Sequence, residues 1–175
     1  MIQKTNILLV AGTGRNIGKT VTVCRIIARL AKEYEPVGVK IAPHFHELEG
    51  NTEYVHQSEN FVIVREKNIS RKDSSRMLQA GAKTVFYVQC KPGYLAGAME
   101  YLFPLLSSES PVIVESGGLY EILEPGLLIF IRGDEVKKDF CIRPETRVLH
   151  LNAEDVQQFN GEKIHFVNGK FNIDA

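Results

Sequence analysis

The spacing of apolar positions changes twice near the N-terminus, and each change marks a new predicted element. Residues 6–11 form a nearly continuous apolar run, which is typical of a strand buried on both faces. From Lys19 to about Tyr34 the apolar residues recur at helical spacing, with the charged residues on the other face. Pro36 ends this helix, and residues 36–42 have the composition of a second strand. A strand–helix–strand order predicts a parallel sheet with a right-handed crossover.

The rest of the chain continues this alternation. Strands are predicted at residues 61–65, 84–90, 111–116, 127–132 and 147–151. Helices are predicted at 71–81, with Gly81 near the C-cap, and at 95–106, where Pro104 disturbs the end. The polar stretch 43–60 is predicted to be a long loop or an irregular insertion, and Asn152 to cap a short helix through residue 159. The pair Asn168-Gly169 between two alternating runs predicts a type I′ hairpin over residues 164–173.

These elements predict an α/β protein with a mainly parallel sheet and an antiparallel C-terminal hairpin, and the composition fits one globular domain over residues 1–175. Of the 175 residues, 44% are hydrophobic and 24% are charged, which argues against a disordered, collagen-like or disulfide-scaffold protein. Lys plus Arg and Asp plus Glu both number 21, so no overall basic field favours a nucleic-acid or membrane partner. The run at 7–11 is far shorter than the roughly 20 residues of a membrane-spanning helix. Three scattered cysteines indicate reduced thiols in a cytoplasmic protein.

The strongest motif lies between the first strand and the first helix, in the segment Gly12-Thr-Gly-Arg-Asn-Ile-Gly-Lys-Thr20. The phosphate-binding loop pattern requires a glycine, four residues, and then Gly-Lys-Ser/Thr. The last three residues fit, whereas Thr13 stands where the first glycine is expected. Glycines and a helix N-terminus present backbone N–H groups to an anion. Lys19 is expected to reach the outer phosphates, and Thr20 to coordinate Mg²⁺. The nucleotide-binding candidates here are Gly12, Thr13, Gly14, Arg15, Asn16, Ile17, Gly18, Lys19, Thr20 and Thr22.

A phosphate-binding loop needs a carboxylate to help hold Mg²⁺, often at the end of a neighbouring strand. Glu115 closes the strand that begins at Pro111, and ligands of parallel α/β sheets lie beyond the carboxyl ends of the strands. We therefore expect Glu115 to face Lys19 and Thr20, as a metal ligand and as a catalytic residue together with Lys19. The alternative is a solvated glutamate at a strand end.

Several short segments, in the same order, resemble two groups of phosphate-loop proteins. Gly-Thr, four residues and Gly-Lys-Thr resemble the loop of dethiobiotin synthetase, and Glu115-Ser-Gly-Gly118 is close to that enzyme's Glu-Gly-Ala-Gly-Gly. The segment 72–82, Lys-Asp-Ser-Ser-Arg-Met-Leu-Gln-Ala-Gly-Ala, is similar to one in the molybdopterin-guanine dinucleotide biosynthesis protein B family. Residues 38–44 and 112–117 are also similar to segments of that family. The resemblance spans roughly residues 6–160 and implies a three-layer P-loop NTPase fold.

The resemblance also implies roles for two further residues and for partners. In both families an aspartate comparable to Asp73 lies near the metal; its alternative here is a carboxylate stabilised by the helix dipole. A lysine at the position of Lys40 contacts phosphate or substrate in the synthetase, so Lys40 joins the nucleotide-binding candidates; its alternative is a surface lysine. The metal candidates are therefore Thr20, Asp73 and Glu115. Similarity to protein B implies a homodimer, GTP rather than ATP, and a nucleotidyltransferase partner.

Two other clusters leave alternatives open. His44 and His46, with Glu47, Glu49 and His56, could suggest a transition metal, but a polar substrate-facing loop fits better because no third ligand has a diagnostic spacing. The bases between Arg65 and Arg76 form either a solvated face or a patch for an anionic ligand or an acidic protein.

Two functions follow from these observations. The first is an accessory protein that binds GTP or ATP with Mg²⁺ and hydrolyses it slowly. The second is an ATP-dependent ligase or kinase of the dethiobiotin synthetase type. A catalytically silent domain is disfavoured by the intact Lys19-Thr20 pair.

Overall fold

The computed structural model describes residues 1–48, 52–133 and 141–174, which form an α/β fold. The strands are β1 Ile2–Gly12, β2 Val37–Ala42, β3 Glu53–Gln57, β4 Phe61–Arg65, β5 Thr84–Cys90, β6 Val112–Glu115, β7 Leu123–Arg132, β8 Val148–Asn152, β9 Ile164–Val167 and β10 Lys170–Ile173. The α-helices are α1 Lys19–Leu30, α2 Asp73–Gln79 and α3 Leu95–Leu102, and short 3₁₀ helices cover Phe103–Leu105, Leu119–Glu121 and Asp155–Gln157.

Eight strands form one mixed sheet in the order β3-β4-β5-β2-β6-β1-β7-β8. The pairs from β5 to β8 are parallel, whereas β4 runs antiparallel to both β3 and β5. The predicted mainly parallel sheet is thus confirmed, and β1 and β2 are parallel but lie on either side of β6. Ligands of such sheets bind where the carboxyl ends of the parallel strands meet.

Hydrophobic side chains cover both faces of this sheet, as the continuous apolar run of β1 predicts. Leu8 and Val10 belong to a cluster with α1, α2 and the C-terminal hairpin. Ile7 and Leu9 belong to a second cluster with α3 and the segment around Tyr120. The arrangement is compatible with a three-layer α/β fold. Within the described residues, no helix combines the length and apolar character that a membrane span requires.

The predicted hairpin at the C-terminal end is confirmed. β9 and β10 pair antiparallel, and both turn residues have positive φ, 51° at Asn168 and 71° at Gly169. A type I′ turn requires positive φ at its two central residues, which is why Asn-Gly predicts it. The hairpin packs on α1, where Arg29 donates to the carbonyl of Ile164. Beyond the end of this helix, Tyr34 meets Phe166 edge-to-face at 5.4 Å between ring centroids.

Two predictions of local structure are wrong. Residues 43–60 are not loop throughout, because Glu53–Gln57 forms β3 at the edge of the sheet. Asn152 does not cap a helix, because it is the last residue of β8 and a 3₁₀ helix covers only Asp155–Gln157. β3 was hidden by its polar sequence, since a solvated edge needs few apolar residues.

Candidate functional site

A cleft of about 1320 Å³, here called the polar cleft, opens at the carboxyl ends of β1, β2 and β6. Its described lining comes from the loop after β1, from β2 and the segment that follows it, from the segment between β4 and α2, and from the end of β6. The predicted candidates in this lining are Gly12, Thr13, Gly14, Arg15, Asn16, Gly18, Lys19, Thr20, Lys40, Asp73 and Glu115.

The glycine-rich loop, residues 12–18, is held in a compact turn by its backbone conformation. Asn16 and Gly18 have positive φ, 58° and 91°. Residues in this left-handed conformation turn successive backbone N–H groups toward a common point, which is how anion-binding nests form. The Lys19 ammonium donates a hydrogen bond to the carbonyl of Gly14, so this side chain crosses the mouth of the loop.

Helix α1 begins directly at the loop and leaves its first amides available. Gly18 is the N-cap residue and has no side chain with which to cap the helix. The first N–H groups of a helix have no partner within the helix, and the helix dipole adds partial positive charge there. A helix start of this kind favours an anionic ligand.

Two of the loop candidates point away from the cleft. Thr22 is fully buried, and its hydroxyl donates to the carbonyl of Gly18 at 3.0 Å. Its side chain lies one helical turn beyond Gly18 and outside the described lining of the cleft, and its contact with a nucleotide stays a prediction. Ile17 packs against the hydrophobic cluster around α1 and lies close beneath Gly12, so only its backbone could meet a ligand.

Four polar side chains meet at the base of the cleft. The Thr20 hydroxyl donates to Glu115 Oε2 at 2.8 Å and also interacts with Asp73. The Lys40 ammonium lies 2.5 Å from Glu115 Oε1 and 2.8 Å from Asp73 Oδ2. The structure therefore brings together the predicted metal candidates and places Lys40 between the two carboxylates.

The register of the sheet explains this cluster. Glu115 of β6 is level with Val10 of β1 on one side and with Lys40 of β2 on the other. Residues level with one another in a sheet point to the same face, so Lys40 and Glu115 share the face that α1 and α2 cover. Glu115 is only 3% exposed, and a buried carboxylate needs a charged or hydrogen-bonding partner.

Burial and neighbouring charges lower the pKa of Lys19 and of Asp73 and raise the pKa of Lys40. Burial lowers the pKa of Lys19, although the Glu115 carboxylate partly offsets it. Burial also opposes the charge on Lys40, but attraction to Glu115 and hydrogen bonds to Asp73 and Glu115 raise its pKa overall. The pKa of Asp73 is lowered despite its burial, mainly because Lys40 hydrogen-bonds to it.

The segment 43–48 forms another wall of the cleft. Gln89, which is 1% exposed, accepts from the backbone N–H of His46 at 3.0 Å and donates to its carbonyl at 3.2 Å. Arg15 Nη2 lies 3.1 Å from His44 Nε2, which joins this wall to the glycine-rich loop. The positive charge of Arg15 beside this ring nitrogen disfavours a metal ion at His44. No group of three or more His, Cys, Asp or Glu residues in the described part of the chain is arranged to hold a metal ion.

The bases of the stretch 65–76 all line the cleft but differ in their partners. Arg65 and Lys67 both form ion pairs with Glu53 of the edge strand β3. Arg71, Lys72 and Arg76 lie beyond Asp73, and Arg76 is 3.8 Å from its carboxylate.

The turn that carries these bases is braced from below. Glu66 accepts from the backbone N–H groups of Lys67 and Asn68 at 3.0 and 2.8 Å and from the Ser74 hydroxyl at 2.7 Å. These hydrogen bonds fix the turn that precedes Arg71, Lys72 and Arg76.

Sequence reasoning missed two residues of the site. Tyr87 of β5 lies level with Lys40 and lines the floor of the cleft, and Gln89 anchors the segment 43–48. Both lie in a strand of otherwise apolar character and two residues apart, so they share one face. Two polar residues at this spacing in an otherwise apolar strand could have indicated that this face of the strand borders a site.

No protein-family model matches the chain, and no curated protein or solved structure matches it.

Proposed function

We propose that the chain binds a nucleoside triphosphate with Mg²⁺ in the polar cleft and hydrolyses it slowly. One observation carries this proposal: Lys19 and Thr20, at the start of α1, lie beside Glu115 and Asp73 at the carboxyl edge of the sheet. A cation for phosphate, a hydroxyl and two carboxylates are the groups that phosphoryl chemistry recruits.

The residues present fit a magnesium ion by the chemistry of their donor atoms. Thr20, Asp73 and Glu115 offer hard oxygen ligands, and Mg²⁺ is commonly held by one or two carboxylates together with phosphate oxygens and water. When bound, the metal neutralises charge that develops on the phosphates. The glycine-rich loop and the first amides of α1 hold the phosphates themselves, with Lys19 as their counter-charge.

Slow turnover follows from the roles of the two carboxylates. Asp73 and Glu115 are metal ligands in this proposal, so neither is left to accept a proton from the attacking water, as a general base must. A nucleotide-dependent accessory protein fits this arrangement better than a fast hydrolase. Resemblance to the molybdopterin-guanine dinucleotide biosynthesis protein B family favours GTP over ATP, a homodimer and a nucleotidyltransferase partner.

A second function, an ATP-dependent small-molecule ligase or kinase, is favoured by the size and charge of the cleft. Its volume of about 1320 Å³ exceeds the ~300–1000 Å³ of an ordinary small-molecule site. The part beyond Asp73 carries Arg71, Lys72 and Arg76, which suit the carboxylate or phosphate of a second substrate.

The first prediction concerns nucleotide binding. ATP and GTP, each with and without Mg²⁺, are titrated by calorimetry into the protein and into the Lys19→Ala variant. We expect Mg²⁺-dependent binding that falls at least ~10–100-fold in the variant, the equivalent of a charge-assisted contact of about 1.5–3 kcal/mol. Lys32→Ala is the control, because Lys32 is exposed beyond the other end of α1.

The outcomes of this titration test the phosphate site and distinguish the two proposed functions. Wild-type affinity in Lys19→Ala excludes the loop as the phosphate site. A preference for GTP supports the accessory protein. Affinity for ATP that rises with an added small carboxylic or amino acid supports the ligase instead.

A further inference from the structure

The position of the Lys40 ammonium has a consequence beyond phosphate binding. It lies 2.5 Å from Glu115 Oε1 and 2.8 Å from Asp73 Oδ2, so it forms ion pairs with both carboxylates at once. Because Lys40 and Glu115 are level in adjacent parallel strands, the sheet itself holds the lysine beside the glutamate. Asp73, at the start of α2, closes the triad from the other side of the cleft.

Lys40 supplies the counter-charge of the buried Glu115. The side chains of Lys40 and Glu115 are only 17% and 4% exposed, and an unpaired charge at such a site is strongly destabilising. Asp73 is 40% exposed and also lies 3.8 Å from Arg76. With Lys40 present, one of the two negative charges is balanced within the triad. Without Lys40, Glu115 would lose its ion pair, and Asp73 would keep only the longer contact with Arg76.

The same two carboxylates are the metal ligands of the proposed function, on which this inference rests. An ammonium and a divalent cation cannot both take the position between them, since the ammonium already holds one oxygen of each carboxylate and the two cations repel. We propose that Lys40 is a built-in counter-ion that must leave Asp73 and Glu115 before a divalent cation binds there, so that this one side chain couples metal binding to nucleotide binding.

The coupling has a defined direction. In the nucleotide-free protein, a displaced Lys40 would lose both anionic partners while remaining largely buried, so metal binding is disfavoured. Phosphate oxygens at the glycine-rich loop give the ammonium new partners in the same cleft, so metal binding becomes favourable. By linkage, the metal strengthens nucleotide binding by the same factor.

The test measures Mn²⁺ binding without nucleotide, by electron paramagnetic resonance of the free ion. We expect Lys40→Met to bind Mn²⁺ at least about tenfold more tightly than the wild type. Lys40→Arg keeps the positive charge and should bind as weakly as the wild type. Lys83→Met is the matched control, because Lys83 forms an exposed ion pair with Glu35 at 3.0 Å, outside the lining of the polar cleft. In the double variant Lys40→Met/Glu115→Gln the gain should be lost.

A second measurement covers the case in which Lys40→Met is too unstable to fold alone. Circular dichroism is recorded with and without Mn²⁺, and the metal should restore the fold by replacing the missing counter-charge. Wild-type Mn²⁺ affinity in a folded Lys40→Met, or a variant that stays unfolded at millimolar Mn²⁺, overturns the inference. Since no nucleotide is present, the measurement tests the counter-ion role separately. A metal gain with no nucleotide binding by the wild type would support that role and would refute the proposed function together with the coupling.

Discussion

Two lysines in the same cleft respond in opposite ways to similar burial. The pKa of Lys19 is lowered because burial penalises its charge and the neighbouring carboxylates compensate only in part. The pKa of Lys40 is raised because Glu115 and Asp73 contact its ammonium directly. Lys40 therefore stabilises the fold through its ion pairs. Lys19 keeps an unfavourable desolvation energy that a bound anion could offset, so it is the better candidate for a ligand contact.

The third prediction, after the counter-ion role of Lys40, concerns the stability cost of Lys19. We expect Lys19→Met to raise the melting temperature of the nucleotide-free protein by about 2–4 °C, the shift that ~1 kcal/mol produces in a chain of this size. The reason is that methionine keeps most of the buried stem and removes the penalised charge. Differential scanning calorimetry of both proteins at neutral pH measures the shift. A melting temperature below that of the wild type would show that the hydrogen bond to Gly14 outweighs the burial of the charge.

The pH dependence of this effect has a fixed sign. Because the pKa of Lys19 is lower in the folded protein than its unfolded value of 10.5, the unfolded chain binds more protons between these two values. The Lys19 contribution to the free energy of unfolding therefore rises with pH in that window. The difference between the wild type and Lys19→Met should accordingly shrink toward pH 10.5, whereas a difference caused by packing alone would not change.

At the residue level, the sequence predicted the members of the site better than their contacts. Lys19, Thr20, Asp73 and Glu115 do come together, because each stands at the boundary of a predicted element. The bridging position of Lys40 depends on β6 lying between β1 and β2, and a strand order of that kind comes from long-range pairing that one sequence does not reveal. The buried orientation of Thr22 could not be predicted, because residue type near a loop does not determine which way a helical side chain points.

At the level of elements, the C-terminal segment supports the glycine-rich loop. A Cβ added to Gly18 would lie 2.5 Å from Cγ1 of Val156, in the 3₁₀ helix Asp155–Gln157. Arg25 of α1 donates to the carbonyls of Val156 and Phe159, so the start of α1 and this 3₁₀ helix are joined by packing and by hydrogen bonds. The loop conformation therefore depends on a segment more than 130 residues away along the chain.

The fourth prediction tests this contact. Gly18→Ala and Gly93→Ala both place alanine at positive φ, 91° and 87°, but a Cβ at Gly93 meets no atom within 4 Å. We expect Gly93→Ala to cost about 1–2 kcal/mol of stability, from the left-handed backbone alone, and Gly18→Ala about 1–3 kcal/mol more, from overpacking. Urea denaturation gives both values.

A double variant identifies the source of the additional cost. Adding Val156→Ala should recover most of the excess in Gly18→Ala, because the shorter side chain leaves room for the new methyl group. Equal costs at Gly18 and Gly93, or strictly additive effects of Gly18→Ala and Val156→Ala, would exclude a tight contact between the loop and the 3₁₀ helix.

Elements with one dominant signal were predicted well, and elements that depend on context were not. The strand at 84–90 was placed at its observed bounds, because β-branched and aromatic residues fill a central strand. The hairpin followed from its Asn-Gly turn. β3 was missed because an edge strand with a solvated face can be polar, and its pairing with β4 only becomes visible once the sheet is assembled.

At the scale of the whole molecule, both hydrophobic clusters are built on the same strands. Leu8 and Leu9 are adjacent in β1 and both fully buried, yet Leu8 belongs to the cluster with α1 and Leu9 to the cluster with α3. Neither face can lose its packing without disturbing the strands that carry the other face. The described residues should therefore unfold as one cooperative unit.

The fifth prediction tests that cooperativity. Leu8→Ala and Leu9→Ala should each lower the free energy of unfolding by about 2–5 kcal/mol, and each should shift the entire transition rather than a part of it. Urea unfolding is followed by far-UV circular dichroism and by tyrosine fluorescence, which the six tyrosines and the absence of tryptophan make practicable. Tyr34 belongs to the α1 face and Tyr120 to the α3 face, so the fluorescence lost in Tyr34→Phe reports on the α1 face and that lost in Tyr120→Phe reports on the α3 face. Midpoints that coincide for both probes in both variants support one unit, whereas a Leu8→Ala transition that moves only for the Tyr34 probe would mean that the two faces of the sheet unfold separately.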